Sequence, residues 1–451
     1  MTTAAHRRRA SALRAARRRH DRASSGHAAT TVGRDATALA DALLTTSWRR
    51  AALLRAAWVV FGRRARWVRP AVDAVLRAYR EAPGDRPREL AGFLAASGRL
   101  GAHRTVVRHR LVAPTRTTRM RWPAPAIDDL GALADFLSLD GDMMDWFADR
   151  REINRYARDE RLRHYRYTWL PHRLIEAPKP MLRDLQRRLL AEVLAGMPVH
   201  ERVHGFVPGR GVHTFAASHT GQEVLVSLDL RAFFSSITAA RVYAVFRQAG
   251  YPEPVAHTLT ALTTTRTPAH VLRDAPDATR AALLRRPHLP QGAPTSPALA
   301  NLCAFRLDRR LTGLADRFGL HYSRYADDLA FSGTVGDRRV GDLISYVRAI
   351  VTEEGFRTHP GKTRVRRQGD RQLLAGLVVN ARPAVAREDY DRLRAVLHNA
   401  GRHGLAAANR EGHPDFAAHL AGRVAWMAHR HPTRAAKLHS LLRSAVAADR
   451  Q

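Results

Sequence analysis

Cysteine is almost missing from this chain: Cys303 is the only one in 451 residues. That excludes a disulfide framework and a thiolate zinc cluster, and it suits a reducing compartment. The 23 histidines are scattered without an HExxH pattern, so solvated or core positions account for them. No apolar run reaches the ~18 residues a bilayer span requires, and the Arg-rich start lacks the apolar stretch of a signal peptide. The expectation is a soluble, cytoplasmic protein with no membrane partner. Lysine is scarce as well, at Lys179, Lys362 and Lys437 only, so a lysine inside a motif carries weight. Acidic residues are few beside basic ones: 41 Asp plus Glu against 75 Lys plus Arg leave a formal charge of +34. A polyanion is the fitting partner, because counterions released from a phosphate backbone reward clustered cations. The sign of the charge is the informative part, since abundant Arg and Ala are also what a GC-rich genome produces unaided.

What is present suffices for about two to three domains, and a 45% hydrophobic content is enough for a real core. Residues 1–47, with "RRRASALRAARRRH", are basic, Ala-rich and poor in large apolar side chains, which reads as a mobile arm or a frayed helix rather than a domain. Residues 48–117 carry apolar positions at helical spacing with Arg on the opposite faces, a helical N-terminal extension. Residues 118–159 form a further helical segment, with Asp128 and Asp129 in a first turn and Leu130, Leu133 and Phe136 as its apolar stripe. From residue 160 to 382 short strands and helices mix irregularly, the texture of an α+β domain. Residues 383–451 return to helix, with Tyr390, Leu393, Val396 and Leu397, then Phe416, Leu420, Val424 and Met427.

Four stretches carry chemistry. "SRYADDLAFS" places Asp327 and Asp328 at the tip of a β-hairpin, a position that alone is ordinary turn chemistry. "VLVSLDLRAFFSSI" ends an apolar strand on Asp229, where a buried carboxylate is costly unless a cation meets it. Three such carboxylates suffice for two Mg²⁺ ions about 3.5–4 Å apart, the arrangement that serves phosphoryl transfer. "LPQGAPTSP" is a Pro/Gly loop before a helix starting at Pro297, with Gln291 and Gly292 where backbone can approach a base and sugar closely. "HPGKTRV" puts the rare Lys362 in a loop, where an ammonium can neutralise or protonate a leaving pyrophosphate.

These motifs, in this order, resemble the palm and fingers of reverse transcriptases, and more closely the bacterial retron enzymes of myxobacterial type. "RLIEAPKPMLRDLQRRLL", "VHERVHGFVPGRGV", "SRYADDLAFS" and "GLVVN" carry the likeness over residues 118–445. The resemblance implies a right-hand polymerase with fingers and palm over 160–382 and a helical thumb over 383–451. It makes Asp229, Asp327 and Asp328 the catalytic metal ligands for two Mg²⁺ ions. Around them, Arg173 grips the triphosphate, Gln291 and Gly292 line the nucleotide pocket with Leu230 and Lys362, and Phe234 gates against a ribose 2′-OH, with adjacent Phe233 the alternative. Tyr325, His219 and Gly376 are implied on the primer and template. The implied substrates are dNTPs and a cognate noncoding RNA that is both template and primer. Synthesis from an RNA 2′-OH would give a branched RNA–DNA, in a system of antiphage defence with an effector or toxin protein as candidate partner.

Three departures stand out. The family's Asn-Ala-x-x-His reads Phe215, Ala216, Ala217, Ser218, His219 here, and its Val-Thr-Gly reads Leu374, Ala375, Gly376. The fingers loop between "TWLP" and "RLIEAP" is cut to His172, so the family's usual lysine contact is absent or supplied by a neighbour such as Arg166. The first two concern RNA partner choice rather than polymerase chemistry. The alternatives are another bacterial reverse transcriptase (abortive-infection or group II intron-derived), an RNA-dependent RNA polymerase, and a non-catalytic RNA-binding protein with this fold; the intact carboxylates count against the last.

Overall fold

The structure, a computed structural model, describes residues 28–83, 87–100, 120–149, 153–157, 159–171, 173–428 and 432–448. Residues 1–27 of the expected arm, 101–117 of the expected extension and His172 lie outside the described residues. The chain divides into two compact units: residues 1–197, 239–274 and 292–295 form one, and 198–238, 275–291 and 296–451 the other.

In the first unit, helices α1 (Ala28–Leu44), α2 (Arg50–Phe61), α3 (Val68–Ala78) and α4 (Pro87–Ala96) share one apolar core. Of the arm or frayed helix expected over residues 1–47, residues 28–44 are instead a helix packed into this core, which corrects its solvated reading. Leu39 and Leu43, four residues apart, are fully buried with Ala36, Ala38, Ala40 and Ala42 in the core that holds Leu90 and Leu94. The many alanines let the helices approach closely, which composition alone does not distinguish from a solvated tail. Gly62, at φ +82°, ends α2 with its N–H on the Trp58 carbonyl. Trp48 Nε1 donates to the Tyr79 carbonyl across the bundle.

Helices α5 (Leu130–Leu137) and α6 (Gly141–Ala148) are each capped by an aspartate, Asp129 accepting from Ala132 N and Asp140 from Met143 N. The buried stripe of α5 is Leu133, Ala134 and Leu137, and Phe136 sits half-buried under the Arg188 guanidinium. Strands β1 (Tyr165–Leu170) and β2 (Arg173–Pro178) form an antiparallel hairpin that feeds α7 (Pro180–Arg188), with Pro at the first helical position.

The second unit is built on an antiparallel sheet. Helix α8 (Val212–Ala217) leads to strand β3 (Val224–Asp229), followed by the short α9 (Phe233–Ser236) and the long α10 (Ser296–Phe318). Strands β4 (Leu320–Tyr325) and β5 (Asp328–Gly333) form the hairpin, and α11 (Asp337–Glu353) precedes β6 (Arg364–Arg367). The strand order is β4-β5-β3-β6. Strand β3 is central and almost wholly buried, which is why it reads as a continuous apolar run rather than an alternation. Strands β7 (Leu373–Leu374), β8 (Leu377–Val378) and β9 (Ala384–Val385) make a second small sheet, whose Leu374 and Leu377 pack with Phe215 and Leu225. Helices α12 (Arg387–Ala408), α13 (Phe416–Ala428) and α14 (Pro432–Ala448) close a C-terminal core around Leu393, Leu397, Leu420, Val424 and Leu438.

Leu43→Ala tests the placement of α1: deleting this buried side chain should cost about 3 kcal/mol in the N-terminal core. Urea unfolding followed by tryptophan fluorescence reports it through Trp48, Trp58 and Trp67, and an unchanged transition would return residues 28–44 to a solvated arm.

Candidate active site

The apolar sequence of β3 buries the strand and delivers Asp229 at its end, where it is half-buried and directly opposite Asp328 in the β3–β5 register. The β4–β5 turn has two residues, Ala326 and Asp327, so Tyr325 pairs with Asp328 and Asp327 stands at the tip. Leu230 N donates to the Asp327 carbonyl at 2.8 Å, tying the strand end to the turn. His359 N donates to the Asp229 carbonyl at 2.8 Å, which brings in the "HPGK" loop. From that loop Lys362 Nζ donates to Asp229 Oδ1 at 2.9 Å.

Burial first, and the neighbouring Asp327 and Asp229 second, push the Asp328 carboxyl up to about 6. Lys362, hydrogen-bonded to Asp229, is held above its ordinary value. The two shifts describe one cluster in which three carboxylates stand around the Lys362 ammonium. No three acidic, imidazole or thiol groups among the described residues already converge as a cation cage. The donor set nevertheless fits hard divalent cations: the oxygens are carboxylates, and their mutual repulsion is what such an ion relieves.

Behind the turn lies a polar network that the motifs do not announce. Arg324, wholly buried, makes a bidentate pair with Asp308 of α10, Nε to Oδ1 and Nη2 to Oδ2, both at 2.7 Å. Tyr322 Oη donates to the same Asp308 Oδ1 at 2.8 Å. Arg324 Nη1 donates to the Ala326 carbonyl at 2.9 Å and to Asn301 Oδ1 at 3.1 Å. Asn301 Nδ2 in turn donates to the Gly205 carbonyl at 2.9 Å. Gly205 must be glycine, since a Cβ there would lie 2.4 Å from Ala326 N. Ala326 itself has φ +54°, so the turn is a strained one that this network holds. Sequence reasoning missed Asp308, Asn301 and Gly205; a polar Asp and Asn on the apolar face of a long helix was the available signal.

The other expected residues divide. Phe234 is half-buried at the start of α9, near the Phe206 ring, whereas Phe233 is buried against Phe356 and under Arg324. Only Phe234 is open to a ligand, which corrects the inclusion of Phe233. Leu230 is corrected likewise: its side chain is 1% exposed and its contribution is the backbone bond to the turn. His219 is fully buried, its ring nitrogens 2.7 Å from Ser323 Oγ and Ser332 Oγ, so it joins β4 to β5 rather than touching primer or template. Burial holds its imidazole well below the usual value, in the neutral form. Tyr325 is half-buried beside Phe215 and Phe206. Gly376, exposed at φ +84°, follows Ala375 at φ +46° in the β7–β8 turn, a pair of positive φ values typical of two-residue hairpins.

Gln291 is half-buried in the same unit as the carboxylates, and the loop is pinned by Ser296 Oγ donating to the Pro290 carbonyl. Arg173 and Gly292 belong to the first unit. Arg173 is exposed at the start of β2. Gly292, at φ +127°, is where a Cβ would meet the Glu176 carbonyl of β2 at 3.2 Å, so its close approach is to a neighbouring strand rather than to a base. The structure thus brings Asp229, Asp327, Asp328 and Lys362 together, with Phe234 and Tyr325 in the same unit.

Residues 171–379 match the family described as "Reverse transcriptase (RNA-dependent DNA polymerase)". Among curated proteins the chain is 43% identical to the retron Mx65 reverse transcriptase of Myxococcus xanthus over 291 residues, 62% of this chain and 64% of that one. It is 41% identical to the retron Mx162 reverse transcriptase of the same organism over 293 residues, covering 60% and 59%. A more distant match is the retron Ec86 reverse transcriptase of Escherichia coli, 30% identical over 228 residues, covering 50% and 65%. The chain therefore spans about three fifths of the length of the first two relatives. These matches bear out the resemblance to retron-type reverse transcriptases, and the domain they identify implies a palm, fingers and thumb arrangement.

Two measurements probe the cluster and its support. With a folded-state pKa near 6 against about 4 unfolded, Asp328 costs the metal-free fold stability as pH rises from about 4 to about 6, and that cost stays constant above. Asp328→Asn should therefore be more stable than the parent in EDTA at pH 8, by on the order of 2 kcal/mol, with the gain vanishing near pH 4; a loss at pH 8 would contradict the cost of charging Asp328 in this site. Arg324→Met should cost about 3–5 kcal/mol by leaving Asp308 buried without its cation. Adding Asp308→Leu should restore most of it, and a double variant as unstable as the single would show that the pair is not the source.

Proposed function

We propose that this chain, whose residues 171–379 carry a reverse-transcriptase domain like those of retrons, is an RNA-directed DNA polymerase that copies part of a cognate structured noncoding RNA into single-stranded DNA. The observation that carries the reading is the facing of Asp229 and Asp328 across β3 and β5, with Asp327 beside them and Lys362 on Asp229. In this reading fingers and palm occupy residues 160–382 and the thumb 383–451. The primer is a 2′-OH of the same RNA and the product a branched RNA–DNA, made in the cytoplasm as part of antiphage defence beside an effector protein.

Asp229, Asp327 and Asp328 would hold two Mg²⁺ ions, which when bound supply charge neutralisation for the attacking and leaving oxygens. Lys362 carries the positive charge that a departing pyrophosphate needs, and Arg173 offers a guanidinium for the triphosphate. Phe234 excludes the ribose 2′-OH by bulk, Gln291 lines the nucleotide pocket, and Tyr325 meets the primer end. Gly376 exposes the β7–β8 turn to the primer–template backbone. The surplus of Arg binds phosphate without reading sequence, as an A-form duplex requires. The Phe215 and Ala375 substitutions fall beside one another in the core where β7 and β8 meet α8. That supports a change in which RNA is accepted while the carboxylates are unaffected. No helix among the described residues is long and apolar enough to cross a membrane.

Primer extension with dNTPs and Mg²⁺ on an RNA template should yield DNA, and Asp327→Ala with Asp328→Ala should abolish it. Equal extension by both proteins would refute the polymerase reading. Nucleic acid copurifying with the protein should sequence as one discrete RNA joined to a short DNA; random cellular RNA would remove the retron part and leave the polymerase standing.

A further inference from the structure

Phe206 is a residue the mechanism above does not use and the fold does not need as core. Its ring is 46% exposed, and its backbone has φ +61°, a left-handed conformation that bulky side chains avoid. Local sequence does not relieve that strain; it is imposed. The preceding Gly205 is clamped between the Ala326 amide, 2.4 Å from where its Cβ would stand, and the Asn301 side chain on its carbonyl. Phe206 is thereby fixed to the catalytic hairpin by the same buried network that shapes the turn. Its ring lies 6.1 Å from the Phe234 ring and 6.5 Å from the Tyr325 ring, centroid to centroid.

An exposed aromatic ring held at the cost of backbone strain marks a functional constraint. The rings it meets identify the constraint. Phe234 is only half-buried, and a phenylalanine that rejects a hydroxyl by bulk does so only while it cannot rotate away. From the core side the Phe233 ring, 5.7 Å away and itself packed on Phe356, backs Phe234, and Phe206 is the solvent-exposed ring that meets it.

We propose that Phe206 is a positioning residue for sugar selection, bracing the Phe234 ring so that a ribonucleotide 2′-OH meets it and a deoxyribonucleotide does not. This rests on the polymerase reading and on Phe234 as its sugar gate. Phe206 touches neither reacting atom; it acts through Phe234, and Tyr325 beside it links the brace to the primer side of the hairpin.

The test is single-nucleotide incorporation by the full chain on a primed RNA template, with dGTP and GTP compared as kcat/KM. Phe206→Ala should lower the dGTP preference about tenfold, the scale of one lost apolar contact, through a smaller KM for GTP. Phe206→Gly, which removes the ring while relieving the positive φ, should do the same, so altered backbone strain cannot account for the result. Phe206→Tyr should keep the preference. Phe206→Ala combined with Phe234→Ala should match Phe234→Ala alone, because the brace has nothing left to hold. The proposal is overturned if Phe234→Ala relaxes the preference and Phe206→Ala does not, or if the two effects add. Should Phe234→Ala itself leave the preference unchanged, the gate assignment fails and the brace with it, while extension by the wild type still stands for the polymerase.

Discussion

The buried ion pair between Asp308 and Arg324 is the constraint on which the hairpin depends. An isolated pair of this kind gains little, because desolvating both ions offsets their attraction. Here the remaining valences are satisfied: Asp308 takes the Tyr322 hydroxyl, and Arg324 serves Asn301 and the Ala326 carbonyl. What the pair provides is definition rather than stability. It fixes one strand residue of β4 against α10 and, two residues on, the carbonyl of a turn residue at positive φ. Through Asn301 it fixes Gly205 as well, so two chain segments far apart in sequence are registered at one point.

That definition is needed because the turn it holds is electrostatically unfavourable. Asp328 is half-buried, and burial first, then the two neighbouring carboxylates, raise its pKa. Left to itself, such a hairpin would relax by moving the carboxylates into water. The backbone bonds from Leu230 to Asp327 and from His359 to Asp229 prevent this on one side, and the Arg324 network prevents it on the other. The fold thus holds together carboxylates whose charge a divalent cation would relieve.

Much of this site was legible in the sequence, for local reasons. An apolar run ending in Asp229 announces a buried strand with a carboxylate at its end, and "YADD" between strand-like flanks announces a hairpin tip. What failed was whatever depended on distant partners. Phe233 and Phe234 are adjacent in sequence, yet one faces Phe356 and the other Phe206, a difference set by packing of loops over a hundred residues apart. His219 reads as a polar motif residue but closes the back of the hairpin between Ser323 and Ser332. Gly292 reads as room for a base but makes room for β2. Residues 28–44 read as an arm or frayed helix because alanine contributes little to an apolar tally, yet Ala36, Ala38, Ala40 and Ala42 are buried with Leu39 and Leu43 in the core.

Lys362 shows why composition still informs once the geometry is known. In a chain that uses arginine almost everywhere, the cation on Asp229 is one of three lysines. An arginine there would grip a carboxylate through a planar fork and occupy both of its oxygens. A lysine offers a compact charge on a flexible stem, and Lys362, 57% exposed, makes a single bond to Oδ1. It neutralises part of the cluster, and its single bond would let Asp229 go to a divalent cation more readily than a two-pronged arginine would. An arginine locked onto Asp229 would keep both of its oxygens engaged.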